Sequence, residues 1–142
     1  MRILIVSPKN KTVFNFRGDL IRDMIAQGHE VLVVGPNRDF VEDVLALGVS
    51  EFIEIRMVKD NTSILNDLSY LKALLKLMKE KKPDLVFGYT IKPVIYGSIA
   101  AKLAGVKNIY AMVTGLGRVY ASQGVKARVI RMVTKFLYKR AF

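Results

Sequence analysis

Five short apolar runs, each followed by a longer segment of helical period, restrict what this chain can become. The runs are RILIV (Arg2 to Val6), EVLVVG (Glu30 to Gly35), EFIEI (Glu51 to Ile55), DLVFG (Asp84 to Gly88) and NIYAMV (Asn108 to Val113). Runs of this length, rich in β-branched residues, read as strands buried on both faces. The segments between them read as helices: about Phe16 to Gln27, ending at Gly28; Asp39 to Leu47, ending at Gly48; Ile64 to Lys81, halting before Pro83; and one beginning at or just after Pro93 and ending at Gly105. Glycine after a helix and proline in its first turn are the expected punctuation. A fifth helix is expected after Gly124. Strands that alternate with helices give a parallel sheet covered on both faces, since a parallel crossover needs its helix to return the chain. The expected fold is α/β, a Rossmann-like doubly wound sheet of order 3-2-1-4-5 that forms a single domain over residues 1–142.

With 142 residues, 51% of them hydrophobic, the chain has enough apolar side chains for one core. It contains no cysteine and one histidine, His29, so disulfides and thiolate metal sites are excluded and no metal is expected. His29 stands at the entrance to the second strand, the far end of the sheet from any switch-point site, and reads as structural. The N-terminus MRILIVSPKNK reads as a buried strand and not as a signal peptide. No apolar run approaches the roughly 18 to 20 residues that span a bilayer, so membrane contact is expected to be peripheral.

The net charge of +11 is unevenly placed. Residues 1–84 hold 13 basic and 12 acidic side chains, whereas residues 85–142 hold 10 basic and no acidic ones. A surface of one sign attracts phosphate in some form: nucleic acid, anionic lipid or a diphosphate. In a doubly wound sheet ligands bind beyond the carboxyl ends of the strands where strand order reverses, which selects the loops SPKNKTVFN, YTIKP and TGLGRVYASQG. These loops contain no carboxylate and bring together Lys9, Lys11, Lys92 and Arg118, with Asn10, Thr90, Thr114 and the backbone of Gly115 and Gly117. Lys92 stands at the mouth of a helix N-terminus, where the dipole and free N–H groups already favour an anion. Gly115-Leu116-Gly117 is not a dinucleotide fingerprint, because it lacks the third glycine and follows the fifth strand. Near the C-terminus Arg128, Arg131, Lys135 and Lys139 fall within an arc of about 80° on a helical wheel, opposite an apolar face. That stripe suits either solvent or an anionic membrane.

FRGDLIRDMIAQGHEVLVVGP, YTIKPVIYGSIAAKLAGV and VTGLGRVYASQG, in that order, resemble the N-terminal half of bacterial sugar transferases of the GT-B architecture, family 4. The similarity runs nearly end to end and is greatest to enzymes of capsule, O-antigen and protein-glycan synthesis that extend a lipid-linked saccharide. It implies two Rossmann-like domains facing a cleft, retention of anomeric configuration, no cofactor and no obligatory metal. The N-terminal domain would hold a polyprenyl-diphosphate saccharide acceptor, while an absent C-terminal domain, in cis or as a partner subunit, would hold the nucleotide-sugar donor. The implied location is the cytoplasmic face of the bacterial plasma membrane. On this resemblance Lys92 and Arg118, with Lys9 or Lys11, would contact phosphates, and Thr114, Gly115 and Gly117 would border the acceptor sugar. Some relatives carry a histidine near the end of the fourth strand where this chain has Tyr89, Thr90 and Lys92, so no catalytic residue is assigned. A non-catalytic acceptor-binding subunit, a basic nucleic-acid-binding domain and a sugar-nucleotide epimerase half-domain are the alternative readings.

Overall fold

A computed structural model describes residues 1–57 and 64–112. Five strands, β1 (Arg2–Val6), β2 (Glu30–Gly35), β3 (Glu51–Glu54), β4 (Leu85–Tyr89) and β5 (Asn108–Met112), form one sheet of order β3-β2-β1-β4-β5. Every pairing is parallel, with Ile3 opposite both Val31 and Leu85, and Val6 opposite both Val34 and Gly88. The expected fold class and strand order are those observed.

Alternation along the strands divides the core in two. Leu4, Val6, Leu32, Val34 and Val86 point to one face, beneath Tyr70, Leu74 and Met78 of α4 (Ile64–Lys81) and Ala100 and Ala101 of α5 (Ile91–Ala104). Ile3, Ile5, Val31, Val33 and Tyr89 point to the other, covered by Val13 of α1 (Asn10–Phe16), Ile21 of α2 (Gly18–Ala26) and Val44 of α3 (Val41–Leu45). Each fully buried Leu, Ile or Val contributes about 1.5–3 kcal/mol, so β1, buried on both faces, anchors the domain.

Local geometry corrects three expected helices. The helix expected from Phe16 to Gln27 is α2, and a further helix, α1, precedes it; Arg17 separates the two by leaving helical geometry at φ −117°, ψ 1° while still linking Val13 to Ile21 through its backbone. The polar stretch after β1 is therefore mostly helical and not a loop. The helix expected from Asp39 to Leu47 is only α3, since Phe40 takes a left-handed conformation (φ 56°) that helical residues do not share. The last of these, α5, starts at Ile91, ahead of Pro93, whose missing N–H costs nothing in a first turn. Close approach of α5 to β4 requires Gly88: a Cβ there would stand 2.9 Å from the carbonyl oxygen of Pro93.

Beneath α4, the Tyr70 ring meets Tyr96 edge-on at 6.2 Å, and its buried hydroxyl has no partner among the described residues. Burial raises the Tyr70 pKa from its usual 10.0. The phenol is thus neutral in both states below pH 10, but above it only the unfolded chain ionises freely. Stability consequently falls with rising pH, by up to about 1.4 kcal/mol per pH unit for one such group. Tyr70→Phe is expected to leave stability at pH 7 unchanged or raise it by about 1 kcal/mol, since an unsatisfied hydroxyl is removed. Urea titrations should show a shallower alkaline loss than in the parent chain.

Candidate functional site

The chain leaves β1 towards α1 on one face of the sheet and leaves β4 towards α5 on the other, so a crevice opens at the adjacent carboxyl ends of these strands. Its floor is a hydroxyl network. Ser7 donates to the Lys9 carbonyl (2.9 Å) and accepts from the Lys9 amide (3.1 Å), which folds the three-residue turn before α1. The Tyr89 hydroxyl donates to Ser7 Oγ (3.0 Å) and lies 2.7 Å from Thr12 Oγ1, tying the end of β4 to the first turn of α1. Tyr89 is 2% exposed. Burial raises its pKa, against the opposing pull of Ser7, Thr12 and the Arg17 charge. The Arg17 guanidinium covers the Tyr89 ring at 4.7 Å.

Thr90 caps α5 with φ 66° and ψ 170°, a region open to glycine and costly for a β-branched residue, about 1–3 kcal/mol. It holds its place through hydrogen bonds: its N–H donates to the Met112 carbonyl (3.2 Å) and its carbonyl accepts from the Val94 N–H (3.0 Å). Strain of this kind gathers at functional sites, and here it falls at the switch point.

The expected site residues have different surroundings. Lys9 and Lys11 are exposed at the start of α1. Asn10 between them turns inward, 2% exposed, and its Nδ2 donates to the carbonyls of Asn37 (2.9 Å) and Asp39 (2.6 Å). That carboxamide braces the β2–α3 connection, and Gly35 makes room for it: a Cβ at residue 35 would come within 1.9 Å of Asn10 Oδ1. Lys92 is not a bare cation. Its Nζ is 2.9 Å from Asp67 Oδ1, with side chains only 14% and 18% exposed, and Tyr96 donates to the other Asp67 oxygen at 3.0 Å. The loops after β1 and β4 contain no carboxylate, as expected, but the connection after β2 holds the exposed Asp39 and α4 supplies Asp67. Thr114, Gly115, Gly117, Arg118 and the stripe Arg128, Arg131, Lys135 and Lys139 lie outside the described residues. His29 is at the amino edge of the sheet, 3.0 Å from the Met1 amino group and far from the crevice.

Sequence reasoning did not single out Ser7, Thr12, Arg17, Asp67 or Tyr96. Asp67 had a signal: it continues the inward stripe of Tyr70, Leu74 and Met78 at helical spacing, and a carboxylate on a buried stripe implies a partner. Two depressions of about 400 and 410 Å³ lie at the opposite, amino edge, around Pro83 and Gly105, away from the strained and polar groups. Among the described residues no helix is long and apolar enough to cross a membrane.

A parallel sheet of this order with its polar crevice at the β1/β4 switch is the arrangement of one half of a GT-B fold. The chain belongs to the glycosyl transferase 4-like family, whose pattern matches residues 2–142. It is 30% identical over 145 residues to the N,N'-diacetylbacillosaminyl-diphospho-undecaprenol alpha-1,3-N-acetylgalactosaminyltransferase of Campylobacter jejuni, covering 100% of this chain and 38% of that protein. It is 33% identical over 103 residues to the UDP-Gal:alpha-D-GlcNAc-diphosphoundecaprenol alpha-1,3-galactosyltransferase of Escherichia coli, covering 72% of this chain and 24% of that one. Among solved structures it superposes on a UDP-GlcNAc 2-epimerase from Neisseria meningitidis bound to UDP-GlcNAc, with TM-score 0.64, 16% identity, and coverage of 96% of this chain and 38% of that one. The chain thus spans well under half the length of these relatives.

Removing the Asp67 carboxylate leaves a largely buried ammonium without this counter-ion. Asp67→Ala is expected to cost about 3 kcal/mol in urea unfolding, with part of the loss recovered in Asp67→Ala/Lys92→Met. A single-variant cost below about 0.5 kcal/mol would show that the pair does not brace α4 on α5.

Proposed function

We propose that this chain is the acceptor-side half of a retaining glycosyltransferase that moves a sugar from a nucleotide-sugar onto a polyprenyl-diphosphate-linked saccharide. The observation that carries this reading is the match to two curated relatives whose names both specify a sugar on diphospho-undecaprenol. The donor would be bound mainly by a second domain, in cis or as a partner subunit.

The site chemistry is compatible with that role. A diphosphate needs cations and N–H donors, and Lys9 and Lys11 stand exposed at the start of α1 beside the crevice. In this reading they meet the acceptor phosphates, and Arg118 and the already paired Lys92 add to the field. Thr90, Thr114 and the amides of Gly115 and Gly117 border the acceptor sugar. Asn10 supports the site by fixing the neighbouring connection. The stripe Arg128, Arg131, Lys135 and Lys139 would face anionic lipid on the inner side of a bacterial plasma membrane. Catalysis would then rest on orienting two substrates and stabilising the departing nucleoside diphosphate.

Co-sedimentation with anionic liposomes over a salt series, with and without a polyprenyl-diphosphate saccharide, tests this. A salt-resistant fraction is expected only when the saccharide is present, and Lys9→Ala/Lys11→Ala should weaken that fraction about tenfold. Binding that ignores the saccharide and disappears with salt would reduce the site to a basic surface and sink the reading.

A further inference from the structure

Arg17 is a half-buried cation whose donors are poorly matched. It stands between two helices, as the C-cap of α1 and the N-cap of α2, so the two helix dipoles act on it in opposite senses. Its Nη1 reaches only the Phe16 carbonyl at 3.3 Å, and its Nη2 reaches the thioether of Met112, a weak acceptor, at 3.1 Å. Its Nε is buried with no hydrogen-bond partner among the described residues. Among the described residues Arg2, Arg22, Lys81 and Lys92 each have a carboxylate within ion-pair distance, and Arg17 has none. Stacking on Tyr89 offsets part of the desolvation, by about 0.5–2 kcal/mol, but satisfies no N–H.

Both contacts beyond its own helix place the guanidinium at the carboxyl edge, since Tyr89 and Met112 are the last residues of β4 and β5. We infer that Arg17 is a diphosphate contact of this crevice, supplying the planar donor pair that the Asp67-bound Lys92 does not. The inference rests on the acceptor-side reading and adds a residue to it. An anion here would satisfy unused donors of the guanidinium and leave the stack on Tyr89 intact. Two sources share this chemistry: the diphosphate of the lipid-linked acceptor and that of the nucleotide donor.

Equilibrium binding to the full chain separates them, with farnesyl diphosphate and UDP as probes and farnesol and uridine as controls. Arg17→Gln is expected to weaken one diphosphate at least tenfold and the other less than twofold, with Arg17→Lys intermediate. The diphosphate affected identifies the source. Retention of both within twofold in Arg17→Gln overturns the inference and leaves the acceptor-side reading standing; failure of the parent chain to bind either diphosphate overturns both. A measurement on the parent chain guards against a variant that does not fold. Phenylglyoxal labelling of Arg17, read by mass spectrometry, should slow at least fivefold with the same diphosphate and not with its control. Unchanged labelling overturns the inference.

Discussion

Parallel pairing of β1 with β2 on one side and β4 on the other is the constraint from which the rest of the molecule follows. A strand with parallel neighbours on both edges has no room for hairpins, so its connections must cross a face of the sheet. Here they cross opposite faces, α1–α3 on one and α4–α5 on the other. That division leaves the ends of β1 and β4 uncovered between two helix N-termini. The crevice is therefore a consequence of topology, and the side chains that line it need only be polar where the sheet is otherwise apolar. Ser7, Thr12 and Tyr89 meet that need with one hydroxyl network.

The strands were legible because burial on both faces produces uninterrupted apolar runs. The bounds of β1 and β2 coincide with RILIV and EVLVVG, while β4 is shifted by one residue because Tyr89 carries a hydroxyl that disguises a buried strand position. The long helix α4 was legible from its apolar face. The short α1 was not, since its inward residues are Asn10 and Val13, and a buried asparagine flanked by lysines reads as loop. A single residue in non-helical geometry, Arg17, then separates α1 from α2 and moves the start of the helix expected at Phe16 to Gly18.

The electrostatics of the site were legible in sign but not in pairing. Counting charges along the chain isolates a basic half, yet Lys92 meets a carboxylate 25 residues earlier, across the α4–α5 packing, which no loop-by-loop count contains. Charge in a fold is decided by which elements pack together. The same packing that neutralises Lys92 leaves Arg17, on the opposite face of the sheet, without a carboxylate among the described residues. The cation with the stronger claim by position in the sequence is thus the one already engaged, and the one hidden inside a helical segment has donors to spare.

The fold alone does not decide the reaction. A UDP-GlcNAc 2-epimerase superposes at TM-score 0.64 with 16% identity, so the sheet order is compatible with more than one chemistry. What separates the possibilities is the set of groups at the edge. Lys9 and Lys11 are exposed and Arg17 is half-buried, and none of them has a carboxylate within ion-pair distance among the described residues. Thr90 stands close by in a strained backbone. The single histidine is at the wrong end of the sheet to move a proton there. In the proposed reading such a site would hold phosphate and orient it, and the reaction class best served by holding and orienting alone is transfer between two bound substrates.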